Sequence, residues 1–367
     1  MDQERIYFLA LHFVPGVGDV LIKQLISYCG SAEEVFKQSR NRLLRIPGIG
    51  EVTTDAIING LSLAQAETEL RKAEKDGVQI LFFTDPAYPA RLKTLEDAPS
   101  LIYVKGNTNL NHPRTVGIVG TRKATPYGRT CVEELVQGLA AHQVQVISGL
   151  AYGIDIHAHK EALRHGLPTI AVLGSGIDVI YPAAHHETAA KMTNQGALVT
   201  ENHYGTQPDA HNFPQRNRII AGMCDALIVV EAGEKGGALI TADIANSYNR
   251  DVFAVPGTIH SPYSIGCNRL IKTNKANLLT STKDLAYIMN WSQGQIEKNA
   301  QLSLDLSELP ENERDLLTLM REKKRNLSID ELAYLMQLPQ GQLSSLLLSL
   351  EFKNRVVSMP GKMYMTR

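Results

Sequence analysis

Three short glycine-bearing segments carry the residue types that hold phosphate: Gly120-Thr121-Arg122, Ser148-Gly149 and Gly174-Ser175-Gly176. Glycine lets a phosphate approach the backbone closely, and a helix that starts just after such a loop turns free N–H groups and a positive dipole end toward an anion. Arg122 adds a fixed charge suited to bidentate phosphate contact. The same glycines also serve simple tight turns. A second cluster, Asn212-Phe213-Pro214-Gln215-Arg216-Asn217-Arg218, puts two arginines, two asparagines and an aromatic into seven residues. Pro214 suits the first turn of a helix. Arg216 and Arg218, two apart, then point to different sides, one toward phosphate and the other toward an acid such as Asp225 or Glu231. Phe213 is either a hydrophobic staple or a platform for a base. A third loop contributes Gly236, Gly237 and Thr241. The chemistry expected is phosphodiester binding.

Other chemistries find no support in the sequence. No GxGxxG loop is followed by an acid about 20 positions on, and there is no GxxxxGK[ST] loop. His157, His159, His185 and His186 have thin carboxylate company, and HxH on a helix does not put both rings on one face. His159 reads as a core residue. No catalytic triad or paired carboxylate stands out. The reading therefore expects no cofactor, no metal and no catalytic residue.

The elements that must position these loops are legible as near-continuous apolar runs. They are Val116–Val119, Val144–Ile147, Thr169–Leu173, Ala226–Val230 and Val252–Val255, with helical stretches such as Thr130–Ala141 and Ile154–His165 between them. Runs of that kind mark strands covered on both faces, and strand–loop–helix repetition predicts an α/β domain with a doubly wound parallel sheet, its ligand at the carboxyl ends of the strands. Ahead of this domain (112–285) lie residues 61–111, a connector with strand signals at Val78–Phe83 and Leu101–Val104. In residues 1–60, Val14-Pro15-Gly16-Val17-Gly18 returns as Ile46-Pro47-Gly48-Ile49-Gly50 between amphipathic helices, a helix-hairpin-helix pattern that either contacts phosphate or only packs. Residues 286–308 read as a linker. Residues 309–367 read as three helices and a hairpin through Pro360-Gly361-Lys362, a winged helix. Its third helix, QGQLSSLLLSLEF, lacks cations, which favours a protein-contact or regulatory role over DNA binding.

The 367 residues carry 37 Lys+Arg against 38 Asp+Glu, a net charge of -1, so any nucleic-acid binding must come from a local patch. No apolar run reaches the ~18 residues of a membrane span. The start, MDQERIYFLALHF, lacks the basic flank of a secretory signal, and the four scattered cysteines suit a reducing, cytoplasmic setting.

GxRxxxxYG (Gly120–Gly128), SGLAxGID (Ser148–Asp155), Gly174–Asp178 with Tyr181-Pro182, FPxRNRIIAG (Phe213–Gly222), GGALIT (Gly236–Thr241) and VPG (Val255–Gly257) together resemble the DprA/Smf family of DNA-processing proteins. The resemblance covers 112–285 and, through Tyr88-Pro89 and Leu101–Gly106, the connector. It implies an extended Rossmann-like core with SAM-like helix-hairpin-helix and winged-helix units. It further implies a non-enzymatic homodimer that binds incoming single-stranded DNA during natural transformation (competence), protects it and loads the recombinase RecA. Arg122 matches the family's key DNA-binding arginine, and Phe213, Arg216, Asn217 and Arg218 match its FPxRNR segment. Tyr152, Ala183 and Ala210 stand where some relatives carry a cation.

Two other readings compete. A Rossmann-type nucleotide phosphoribohydrolase shares the sheet and loops, but the stretch corresponding to its PGGxGTxxE signature, Lys235–Asp243, lacks the second glycine-threonine step and the glutamate. A transcription regulator would use the winged helix, whose poor charge argues against it. The dimer face is expected around Ile228–Lys235 and Ile259–Leu270, on the premise that the last strands leave an apolar edge.

Overall fold

The computed structural model describes residues 3–60, 63–291, 310–323, 327–353, 355–359 and 363–366. The chain forms two compact units, Met1–Gly294 and Gln295–Arg367.

The first unit is built on a nine-stranded sheet. Its strands are β1 Val78–Phe82, β2 Leu101–Gly106, β3 Thr115–Val119, β4 Gln145–Ser148, β5 Thr169–Val172, β6 Gly196–Thr200, β7 Ala226–Val229, β8 Asp251–Ala254 and β9 Asn277–Leu278. They lie in the order β1-β2-β6-β5-β4-β3-β7-β8-β9. From β6 to β9 every pair is parallel, while β1–β2 and β2–β6 are antiparallel. All side chains of β3 to β7 are buried, as expected where helices cover both faces. From β3 the chain steps outward through β4, β5 and β6, then returns to place β7 on the other side of β3. The loops after β3 and β7 thus diverge at a topological switch point, where open α/β sheets open a crevice.

Several expectations change. Strand β6 has no counterpart among the predicted runs: GALVT is only five residues and is followed by Glu201-Asn202-His203, not a glycine loop. Residues 61–111 supply a helix (Leu63–Lys75) and the two antiparallel strands that extend the sheet. The helix predicted from Thr130 begins at Pro126, with Thr125 as its cap accepting from the Gly128 N–H. The expected linker begins late. Thr282–Ile288 is helical, and Trp291 packs in the core with Leu285 and Val136. Residues 292–308 of that linker lie outside the described residues. The expected dimer edge at Ile228–Lys235 does not exist, because β7 is an interior strand and Ile228, Val229 and Val230 are buried. In the other stretch, Ile259 is 81 % and Ile265 43 % exposed.

The two N-terminal hairpins join helices Gln3–His12 with Asp19–Cys29 and Arg40–Leu43 with Glu51–Asn59. Gly16 and Gly48 sit at φ +78° and +79°, the left-handed region that the sharp turn requires. Val14, Val17, Ile46 and Ile49 are buried beneath them. These helices seat on the sheet. Phe8 lies 4.3 Å from Phe82, and the Asp19 carboxylate accepts from the Ser100 N–H and hydroxyl, both at 2.7 Å.

The second unit has helices Glu311–Lys323, Ile329–Met336 and Gln340–Phe352 around Leu316, Leu332, Leu343 and Leu347. Strands β10 Leu327–Ser328, β11 Val356–Met359 and β12 Met363–Thr366 pair in the order β10-β12-β11. This is a winged helix with one more strand than expected. Ser328 caps its second helix by accepting from the Glu331 N–H. The predicted turn at Pro360-Gly361-Lys362 lies outside the described residues. Among the described residues, no helix is long and apolar enough to cross a membrane.

Candidate nucleic-acid interface

At the carboxyl ends of β3 and β7 the sheet opens into a groove of about 1150 Å³. Gly120, Thr121, Arg122, Phe213, Arg216, Asn217, Gly236, Gly237 and Thr241 all line it. Two of the loops and the one helix predicted to hold phosphate therefore meet on one surface, while the Ser148-Gly149 and Gly174-Ser175-Gly176 loops are not part of its lining.

The loop after β3 is fixed by backbone bonds. The Thr121 N–H donates to the Glu231 carbonyl at 2.7 Å, and the Thr121 carbonyl accepts from the Ile154 N–H at 3.2 Å. Gly153 makes that second contact possible: it sits at φ +79°, and a Cβ there would lie 2.1 Å from the Thr121 carbonyl oxygen. The loop leaves Arg122 exposed. Among the described residues its guanidinium forms no ion pair, and it lies 5.6 Å from the centre of the Phe213 ring.

Helix Asn212–Met223 supplies the opposite wall. Arg216 is 5 % exposed and donates from Nη1 to the Val172 carbonyl at 2.6 Å, while its Nε has no partner. Its guanidinium passes over Gly149, where a Cβ would lie 2.0 Å from Nη1. Beside it, Asp155 lies on the groove floor. Burial pushes the Asp155 carboxyl up to about 6, against the pull of Arg216 and of the Ala151 and Gly149 N–H groups. Burial likewise lowers Arg216 to about 10, against the pull of Asp155. Each group opposes the other's shift, Arg216 drawing the carboxyl back down and Asp155 drawing the guanidinium back up. Arg122 and Arg216 thus place two cationic groups about Phe213, with the Arg216 guanidinium 6.0 Å from its centre.

Ser148, Ser175, Gly174 and Asn212 lie outside the lining, and further bonds fix the residues within it. The Ser148 hydroxyl is buried and donates to the Ile118 carbonyl, and that of Ser175 to the Val179 carbonyl, both at 2.6 Å. Gly174 lies against the Phe213 ring, and Asn212 opens the helix with its N–H on the Asp209 carbonyl. The Asn217 amide and the Thr241 hydroxyl both donate to the Gly237 carbonyl, at 3.5 and 2.9 Å. Arg218 does face away from Arg216, but its acids are Glu201 and Asp19, not Asp225 or Glu231. Asp225 is taken by Arg91, and Glu231 by the Thr125 N–H and hydroxyl. Burial raises Glu201 to about 7 despite Arg218.

His159 is a core residue, with Nδ1 2.7 Å from the Thr169 hydroxyl. His157 has more carboxylate company than its sequence neighbourhood indicated. One ligand atom each of Glu133, His157 and Glu161 lies within 4.8 Å of the others, although Glu161 already pairs with Arg164. The sequence reading took Asp155 and Tyr181 only as motif positions, and Tyr152 as a place where some relatives carry a cation. All three line the groove.

The fold and groove define a class: a Rossmann-like domain with a glycine-walled cationic notch, carrying a helix-hairpin-helix and a winged-helix unit. Residues 79–290 match the family described as DNA recombination-mediator protein A, residues 8–62 the SAM-like helix-hairpin-helix tandem, and residues 301–362 the DprA winged helix domain. The chain belongs to the DprA/Smf family of DNA-processing proteins. It is 33% identical to Protein Smf of Synechocystis sp., with 100% of each chain covered. It is 43% identical to DNA processing protein DprA of Streptococcus pneumoniae, over 55% of this chain and 71% of that one. The X-ray structure of the Streptococcus pneumoniae protein superposes with a TM-score of 0.68 at 34% identity, covering 78% of this chain and 98% of that one. DNA processing protein A from Helicobacter pylori, whose structure is described for its single-stranded DNA binding mode, superposes at 0.54 with 27% identity, covering 59% and 97%.

Proposed function

We propose that the groove holds the backbone of single-stranded DNA, and that the protein acts in the cytoplasm as a non-enzymatic homodimer. In this reading it protects incoming strands during natural transformation and loads RecA onto them. One observation carries the proposal: Arg122 and Arg216 reach one aromatic, Phe213, from two separate elements inside one groove. A single strand bends so that its phosphates enter such a notch while its bases unstack. A duplex is too wide and stiff to do the same. The Helicobacter pylori relative's single-stranded DNA binding supports the same choice. A hydrolytic reading is less well served, since the acids nearest the groove are occupied: Asp155 balances Arg216, and Glu231 holds Thr125.

Fluorescence anisotropy with labelled single-stranded and duplex oligonucleotides at two salt concentrations tests the reading. Tighter single-strand binding, with a slope of ~0.7 per neutralised phosphate, is expected. Equal or tighter duplex binding contradicts it, as does release of free base from nucleoside monophosphates. The mediator step is checked by RecA filament assembly on strands pre-coated with single-strand-binding protein. The protein accelerates assembly if the proposal holds and leaves it unchanged if not.

A further inference from the structure

Phe213 is the aromatic that the sequence points to, yet its ring is largely engaged by protein. Gly174 backs it so closely that a Cβ there would lie 2.9 Å from the ring. The Arg122 and Arg216 guanidinium groups and the Tyr181 ring stand 5.6, 6.0 and 5.9 Å from its centre. Two other aromatics in the groove are more open. Tyr152 is 50 % and Tyr181 47 % exposed. Among the described residues, neither hydroxyl makes a hydrogen bond, so neither ring is held out by its polar end.

Each of these open rings is braced from behind. Tyr181 rests on Phe213. Tyr152 meets the His185 ring edge-on at 4.9 Å, and His185 is itself buried, with Nδ1 2.7 Å from the Leu150 carbonyl. The two tyrosines flank the short turn that begins at Pro182 and ends at His185. A braced, half-exposed ring loses little freedom when a flat ligand covers it, which is what makes tyrosine effective at recognition surfaces.

We propose that Tyr152 and Tyr181 are stacking platforms for unpaired nucleobases, with Arg122 holding the phosphates alongside. Phe213 then acts mainly as the support of Tyr181. The inference rests on the single-strand reading above and adds to it: the groove grips ring faces as well as phosphates. Any planar base serves, so no strong sequence preference arises.

The experiment compares an oligothymidylate with an abasic strand of the same length, using the full-length protein. Wild type should bind the base-bearing strand more tightly. Tyr152→Ala and Tyr181→Ala should each weaken that strand about fivefold to a hundredfold, the ~1–3 kcal/mol of one stacked base. They should leave the abasic strand nearly untouched, and Tyr→Phe at either site should retain binding. Alanine variants that lose equally on both strands, or on neither, overturn the stacking platforms while leaving the single-strand reading intact. A wild type that binds neither strand overturns both.

Discussion

Arg216 and Arg218 leave the same helix on opposite sides and do different work. Arg216 passes over Gly149 onto the floor of the groove, where Asp155 is its counter-charge. Arg218 ties the sheet to the N-terminal helices, bonding Glu201, Asp19 and the Asp97 carbonyl. One short segment therefore carries both a binding wall and the seat of the helix-hairpin-helix unit.

Arg218→Met should cost stability and spare strand binding. Removing one partner of a mostly buried pair leaves the other uncompensated, at about 2–3 kcal/mol here because both side chains retain some exposure. The cost should grow with pH. Glu201, raised to about 7 even with Arg218 present, is largely protonated at pH 6 with or without its partner, whereas at pH 8.5 the wild type holds it ionised against Arg218 and the variant has no cation there to do so. Thermal melts of wild type and variant at those two pH values check this, the larger gap being expected at pH 8.5.

Gly149→Ala should do the reverse. The new methyl would stand 2.0 Å from Arg216 Nη1, so the guanidinium must leave its place over the floor. We expect single-strand affinity to fall about tenfold, with ~1–3 kcal/mol of overpacking cost. Titration with a labelled single strand, beside a chemical melt, separates the two effects.

Much of the core was legible in the sequence because β3, β5, β7 and β8 are unbroken apolar runs, most of them closed by a glycine or proline loop. Strand β6 was not, since GALVT carries no such punctuation. The split between Arg216 and Arg218 follows from helical spacing alone. Their partners do not, because Glu201 lies 17 and Asp19 199 positions from Arg218. Tyr152 is a similar case. At its position the sequence registers a missing cation, and only the His185 ring behind it shows a braced platform.

His159 should make the protein acid-sensitive. Thr169 spends its hydroxyl proton on the Val146 carbonyl, so His159 Nδ1–H must be the donor between them, and the buried Nε2 has no partner. Burial lowers the imidazole from 6.5 to about 3. Between those values the unfolded chain binds a proton that the folded chain refuses, so stability falls as pH drops through that window. At pH 5 the loss from this one group is about 2 kcal/mol. In His159→Gln the same loss should be absent, and urea melts at pH 7.5 and pH 5 should show the wild-type curve shifting further between them than the variant's.

The most direct measurement is the salt dependence of single-strand binding by Arg122→Ala. Arg122 is exposed and makes no ion pair among the described residues, so its loss should leave the fold intact. Affinity should drop at least tenfold at low salt, and the slope of log K against log salt should shrink by ~0.7 for each phosphate that the variant no longer neutralises. An unchanged affinity with an unchanged slope would place the strand elsewhere on the molecule and contradict the account.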